Sequence, residues 1–307
     1  MDLLSRVLSL VPVTGSLDVR CHFGAPWRLE QVQAGVHEIA YHVLLSGAAT
    51  VEDAHGPPQQ LEAGDILLFP RRSPHRLHDG SGRKARPARH VQTPFLTVVE
   101  NTGKRDVAEV LCGRFLLGAS PSGLIRDYLP HRLVVHSAAG KSPSASRLSR
   151  LVALMREEAL EEAPGSASLV SHLSAALFGL TLRLAGEAPE TPKGLLALAQ
   201  SPRLQPAIDA IFDSPEKPWN LPALAALCHM SRATFVRHFE SAIGRSAADV
   251  LTEIRMTHAS RKLQHSHDPV GAIGEAVGYQ SEAAFQRAFK RHLGTTPARW
   301  RANSAET

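Results

Sequence analysis

Two stretches near the end of the chain decide how it is read: Ser231–Gly244, SRATFVRHFESAIG, and Ser281–Gly294, SEAAFQRAFKRHLG. They recur at an offset of fifty positions (281 − 231 = 50), with Ser, Ala, Phe, Arg, Phe and Gly at matching places. A serine hydroxyl accepts a hydrogen bond from the unpaired amides of a first helical turn, so Ser231 and Ser281 each predict a helix start. Phe235, Phe239 and Ile243 step by four, as do Phe285, Phe289 and Leu293, which predicts one buried stripe per helix. Gly244 and Gly294 end the helices where a left-handed residue is needed.

A short apolar helix is predicted before each of these, over Leu221–Cys228 and Val270–Val277. Helix, tight turn and capped helix is the order of a helix-turn-helix, whose second helix enters the DNA major groove. Away from the Phe stripes lie Arg232, Ala233, Thr234, Val236 and Arg237 in the first unit, and Glu282, Ala283, Gln286, Arg287 and Lys290 in the second. Arg237 and Arg287 lead this set, because a guanidinium can donate two hydrogen bonds to one guanine, whereas lysine more often meets phosphate. The plainer reading of each is a solvated surface side chain. Double-stranded DNA is the expected partner; a net charge of +5 agrees with this without deciding it.

The length of 307 residues favours more than one domain. With 43% hydrophobic and 21% charged residues and apolar runs shorter than the roughly 18 residues of a membrane span, no membrane partner is expected. The opening MDLLSRVLSL is interrupted by Asp2 and Arg6 and reads as a short amphipathic helix rather than a leader. Three cysteines, Cys21, Cys112 and Cys228, are too few and too scattered for a disulfide framework, and a cytoplasmic location is expected. Cys21 lies between Arg20 and His22, and positive neighbours favour the reactive thiolate. Cys228 reads as a core residue.

Between His37 and Leu77 short apolar runs alternate with Gly and Pro, notably in IAYHVLLSGAATVEDAHGPPQQLEAGDILLFPRRSPHRL, which predicts a β-barrel or jelly roll. The stretch from about Gly82 to Asp106 reads as a basic, Pro-containing loop. Two helices are predicted between Ser146 and Leu184, with Leu148, Leu151, Val152 and Met155 on one face of the first and Leu169, Leu173, Leu177, Leu180 and Leu184 on the second. The acidic run Glu157–Glu162 and Pro164-Gly165 separate them. Such stripes suit either a core or a partner surface.

The segment Arg203–Arg301 resembles the AraC/XylS family of transcriptional regulators. The resemblance rests on WNLPALAALCHMSRATFVRHFESAIG, the Arg255-Met256 pair with Ala259 and Leu263, and IGEAVGYQSEAAFQRAFKRHLGTTPARWR. It implies two helix-turn-helix units joined by a connecting helix, a homodimer made through the middle helices, and RNA polymerase as a partner if the protein is an activator. GDILLFPRRSPH (Gly64–His75) is similar to the second cupin motif, and Tyr41-His42 with Gly47 to part of the first.

Leu44 stands where metal-dependent cupin enzymes carry another histidine, and no Glu follows, so the resemblance argues against an enzyme. A regulatory zinc or copper on His42 and His75, with Cys21 or Cys112, stays open beside a purely structural role for the histidines. MDLLSRVLSL, Cys21, Trp27, His42, GDILLFPRRSPHRL and Cys112-Gly113 resemble the cupin-containing branch of AraC-type regulators that includes a reactive-chlorine-sensing activator. There two sensor cysteines are implicated, matching Cys21 and Cys112. The expected architecture is α+β: a cupin-like barrel over 1–120, a helical linker over 121–200 and an all-α double helix-turn-helix over 201–307. The expected function is a transcriptional regulator, an activator, answering oxidants such as hypochlorous acid, with a small molecule or metal as the alternative signal.

Overall fold

A computed structural model describes residues 1–118, 123–137, 142–161, 163–189 and 191–305. The chain opens with helix α1 (Leu3–Leu10) and continues through β1 (Val13–Phe23), β2 (Arg28–Gln31), β3 (Glu38–Ser46), β4 (Ala48–Asp53) and β5 (Gly56–Glu62). Next come β6 (Asp65–Phe69), β7 (His75–His78), β8 (Ala88–Gln92), β9 (Thr97–Asn101), β10 (Ala108–Leu117), the single turn α2 (Gly123–Arg126) and β11 (Leu133–His136). Helices follow: α3 (Pro143–Glu161), α4 (Ser166–Gly186), α5 (Leu195–Ala199), α6 (Gln205–Asp213), α7 (Leu221–Leu227) and α8 (Arg232–Ile243). The last are α9 (Ala247–His265), α10 (Val270–Ala276), α11 (Glu282–Leu293) and α12 (Pro297–Ala305).

Two compact units result. One takes Val13–Gly118 and Leu129–Thr191, the other Met1–Pro12, Ala119–Tyr128 and Pro192–Thr307. In the first, a seven-stranded sheet in the order β11-β6-β3-β10-β1-β9-β8 and a four-stranded sheet β2-β7-β4-β5 share a core that includes Phe23, Trp27, Leu44, Leu61, Leu67 and Phe69. This is the expected cupin barrel. β3 is buried at six consecutive positions, from Ile39 to Leu44, and so departs from simple alternation. On its far side Tyr41 stacks on Phe115 at 4.4 Å, and Phe115 meets Phe178 of α4 at 4.9 Å.

That contact moves the sequence-based boundaries. Helices α3 and α4 are not a separate linker; they pack on each other, and α4 packs on β1. Glu109 of β10 receives Arg20 at 2.8 Å and Arg156 of α3 at 2.9 Å, which ties the helix pair to the sheet. α4 is long and apolar enough to cross a membrane by composition, yet Val170, Ser174, Leu177, Phe178, Thr181, Leu182 and Ala185 form a buried face. The expected Leu169 face is rotated: Leu169 is exposed because small Ser174, not a leucine, meets β1 at Gly15. Leu148 and Met155 of α3 are buried as expected. Residues 120 and 121, the expected domain boundary, and Glu162 lie outside the described residues.

The expected loop from Gly82 to Asp106 holds β8 and β9, and β9 extends the large sheet by pairing parallel with β1 from Val19↔Thr97 to His22↔Glu100. Its charges hide a short edge hairpin, which is where sheets tolerate them.

In the helical unit α1 is capped by Asp2, buries Leu3, Val7 and Leu10, and packs on α6. Arg6 reaches Asp209 at 3.2 Å and also Asp213, while Arg261 of α9 donates to the Ser9 carbonyl at 3.1 Å. The amphipathic N-terminal helix therefore belongs to the helical unit. Tyr128 lies under Arg245, with 5.3 Å between guanidinium and ring, and Arg245 reaches Glu253 of α9 at 3.4 Å.

Burial raises the Glu253 carboxyl to about 7, with Tyr128 and Arg245 opposing and Asp127 and Asp249 adding to the rise. A carboxyl raised in the fold above its ordinary 4.5 leaves stability intact below about pH 4.5 and drains it as pH climbs toward 7. Glu253→Gln is therefore expected to match the native protein in urea unfolding near pH 4.5 and to exceed it at pH 8, by at most about 3 kcal/mol. In the barrel unit, Phe178→Ala is expected to cost about 3–5 kcal/mol in the same measurement, since it empties a fully buried site between α4 and the sheet.

Candidate DNA-binding and sensor sites

The two reader helices form as their caps require. Ser231 accepts from the Thr234 amide and Ser281 from the Ala284 amide, while Gly244 and Gly294 close the helices at φ 77° and 74°. Phe235, Phe239, Phe285 and Phe289 are fully buried. Preceding helices α7 and α10 end one residue before the sequence reading, with Cys228 and Val277 as their C-caps. The left-handed turn residue is Gly278 in the second unit and His229, at φ 52°, in the first. Arg255 of α9 fastens the second turn: it donates to the Pro215 and Lys217 carbonyls at 2.6 and 2.7 Å and lies 5.8 Å over the Tyr279 ring.

Arg232, Ala233 and Arg237 are exposed, Val236 is half-buried, and four of this set share one shallow surface depression with Glu240. Thr234 is half-buried and its hydroxyl accepts from Ser231 at 2.9 Å, which supports the cap. On α11, Glu282, Ala283, Gln286, Arg287 and Lys290 are exposed; Gln286 donates to Glu282 at 2.7 Å. Arg237 and Arg287 form no ion pair among the described residues, which leaves both guanidinium groups free to donate. Sequence reasoning missed Glu240, one helical turn beyond Val236 on the same face.

A second cluster occupies the barrel core. β10 runs between β1 and β3, with Cys112 opposite His42 and Cys21 opposite Val110. Cys21 and Cys112 are thus diagonal neighbours on adjacent strands, both buried in one core cluster. Cys112 Sγ is 3.0 Å from His42 Nδ1, and His42 Nε2 is 2.7 Å from His75 Nε2. His75 Nδ1 donates to the Ser73 carbonyl at 2.9 Å, and its ring stacks on Phe69 at 3.5 Å. The sequence singled out all four side chains, and the fold joins them in one row.

Their electrostatics differ from the sequence reading. Successive side chains of a strand face opposite ways, so Arg20 and His22 point away from the core that receives Cys21, and Arg20 is taken by Glu109. The neighbouring Cys21 thiol, and then burial, hold the Cys112 thiol well above the ordinary thiol range. Burial, with His75 nearby, holds the His42 imidazolium well below its ordinary range, and burial lowers His75 to about 4. The neutral forms of all three are favoured.

Two nitrogens sharing a tetrahedral metal at about 2.0–2.1 Å would stand roughly 3.3 Å apart. The 2.7 Å between His42 and His75 is a hydrogen bond, and no group of three or more His, Cys, Asp or Glu among the described residues is arranged to hold a metal ion. Cys228 is buried, its thiol raised by burial, as a core residue should be.

Comparison with known proteins matches these features. A cupin family model matches residues 2–185 and a helix-turn-helix domain model residues 224–303. The RCS-specific HTH-type transcriptional activator RclR of Escherichia coli K12 is 31% identical over 98% of this chain and 97% of its own. The HTH-type transcriptional regulator MtrA of Neisseria gonorrhoeae is 30% identical over 98% of both chains. Among solved structures, the DNA-binding domain of AdpA in complex with a target DNA is 32% identical over 33% of this chain and 91% of that one, with a TM-score of 0.31. A cupin barrel followed by two capped helix-turn-helix units, matched along nearly its whole length, makes this chain a member of the cupin-containing AraC-type transcriptional regulators.

Proposed function

We propose that this DNA-binding regulator is an activator switched by oxidation of Cys21 and Cys112 in its cupin domain. The observation that carries the reading is the diagonal placement of the two buried thiols on the paired strands β1 and β10, within one core cluster. Two neighbouring thiols can be joined by a two-electron oxidant and separated again by a thiol reductant, which supplies a two-state signal. The RCS-specific activity in the name of the Escherichia coli relative is consistent with a reactive chlorine species such as hypochlorous acid as that oxidant. The exposed Leu154, Leu160 and Leu169 on α3 and α4 support a homodimer, and an activator at a promoter would meet RNA polymerase. A cytoplasmic, reducing location would hold the thiols ready.

Fluorescence anisotropy against the protein's own upstream DNA, with scrambled competitor, tests the reading. Binding is expected to shift on stoichiometric hypochlorous acid, to return with reductant, and to lose the shift in Cys21→Ser and Cys112→Ser. An unchanged shift in the double serine variant would sink the thiol switch. Stoichiometric zinc, copper or a small molecule in the purified protein would move the signal to a bound ligand; the groove of about 420 Å³ beside His75 is where a small molecule would be sought.

In the same titration Arg237→Ala and Arg287→Ala are each expected to weaken specific binding by about 1–3 kcal/mol, roughly 5- to 150-fold, with little change toward scrambled duplex. Lys290→Ala should weaken both duplexes alike.

A further inference from the structure

A buried thiol held in its neutral form is a poor nucleophile, so a thiol switch in this core needs a base within reach. The hydrogen bonds beside Cys112 supply one, and their direction is fixed from one end. The Ser73 carbonyl can only accept, so His75 Nδ1 carries a hydrogen. Neutral His75 then has an accepting Nε2, which obliges His42 Nε2 to donate across the 2.7 Å contact. Neutral His42 is left with an accepting Nδ1, 3.0 Å from Cys112 Sγ. Every donor in the row therefore points from the thiol toward Ser73. Phe69, stacked on His75, fixes the far ring, and His75 lines an open groove with Glu30, Glu52, Asp53 and Arg76.

We propose that His42 is the base that takes the Cys112 thiol proton during oxidation, and that His75 passes it to the groove. The inference rests on the thiol switch proposed above and names the residues that run it. Among the described residues, Cys112 alone of the two cysteines touches an imidazole, so it is the thiol that meets the oxidant first.

With hypochlorous acid, the Cys112 sulfur bonds to chlorine as the O–Cl bond breaks. The thiol proton enters His42 Nδ1, the Nε2 proton moves to His75, and the departing hydroxide becomes water by taking a solvent proton, which the proton His75 releases to the groove replaces. The Cys21 sulfur then attacks the Cys112 sulfur: the S–S bond forms, the S–Cl bond breaks and chloride leaves. The Cys21 thiol proton is released to solvent. Two thiols and one hypochlorous acid yield one disulfide, one water, one chloride and one proton. His42 touches a reacting atom; His75 acts through His42 and is a positioning residue.

The groups acting on the row are Cys21 and Asp18, which both favour a neutral Cys112 thiol, and Asp53, which favours a charged His75. The test measures disulfide formation in the full-length protein, by quenched flow and mass spectrometry after stoichiometric hypochlorous acid, from pH 6 to 9. Referred to the fraction of oxidant present as hypochlorous acid rather than hypochlorite, the native protein is expected to show a rate nearly flat with pH, and the variants are compared on the same basis. His42→Asn should lose about 100-fold or more at pH 7 and recover about tenfold per pH unit as hydroxide replaces the base.

His75→Gln retains an acceptor for His42 Nε2 but cannot hold a proton, and should fall between the two, with reduced-state DNA affinity unchanged. Native rates and a flat profile in His42→Asn would overturn the wire while leaving the thiol switch standing. No disulfide in the native protein would remove both. If His42→Asn does not fold, His75→Gln decides: a native rate there overturns the proposal.

Discussion

The buried row of thiols and imidazoles depends on β10 lying between β1 and β3. Strand pairing in a sheet fixes which side chains share a face, and a slip of one residue would turn every one of them to the other side. In the observed register Cys112 stands opposite His42 on one flank and beside Cys21 on the other, so a single strand assembles thiol, partner thiol and imidazole. Gly113, the next residue, is tied to the same arrangement, because a side chain there would run into the Ser16 carbonyl and the Tyr41 ring. Tyr41 in turn bonds the Ser16 carbonyl at 3.1 Å and stacks on Phe115, so the reverse face of the sheet holds the register from behind.

The reader unit solves a different problem. Each helix-turn-helix is small, and a short helix in water is marginal without tertiary support. The connecting helix α9 supplies it: it carries a capping box at Ser246 and Asp249 and buries Met256, Ala259 and Leu263 against the second unit's Phe285 and Phe289. Its Arg255 and Arg301 of α12 then close the flanking turns through backbone carbonyls rather than acidic side chains. The exposed charges of α8 and α11 stay out of this framework.

Legibility followed locality. Caps, Phe stripes and terminal glycines act within a dozen residues, and Ser231, Phe235, Phe239 and Gly244 stand where spacing alone put them. The four side chains of the barrel row are also visible one by one, through motif position, but the row itself is not, since Cys21, His42, His75 and Cys112 meet only through non-local register. The same blindness misassigned the neighbours of Cys21: Arg20 and His22 flank it in sequence and face away in space. β8 and β9 were lost because an edge hairpin needs few apolar residues, and α4 was rotated because Ser174 rather than a leucine makes its closest approach to β1. The docking of α1 beside α6 left no signal beyond an amphipathic pattern.

The diagonal placement of Cys21 and Cys112 has a mechanical side. Diagonal positions on neighbouring strands stand about 7–8 Å apart at Cα, whereas a disulfide holds its Cα atoms within about 4.4–6.8 Å. A bond between these sulfurs shears β1 along β10, and the existing irregularity between Leu17 and Val19 is where such sliding can be absorbed.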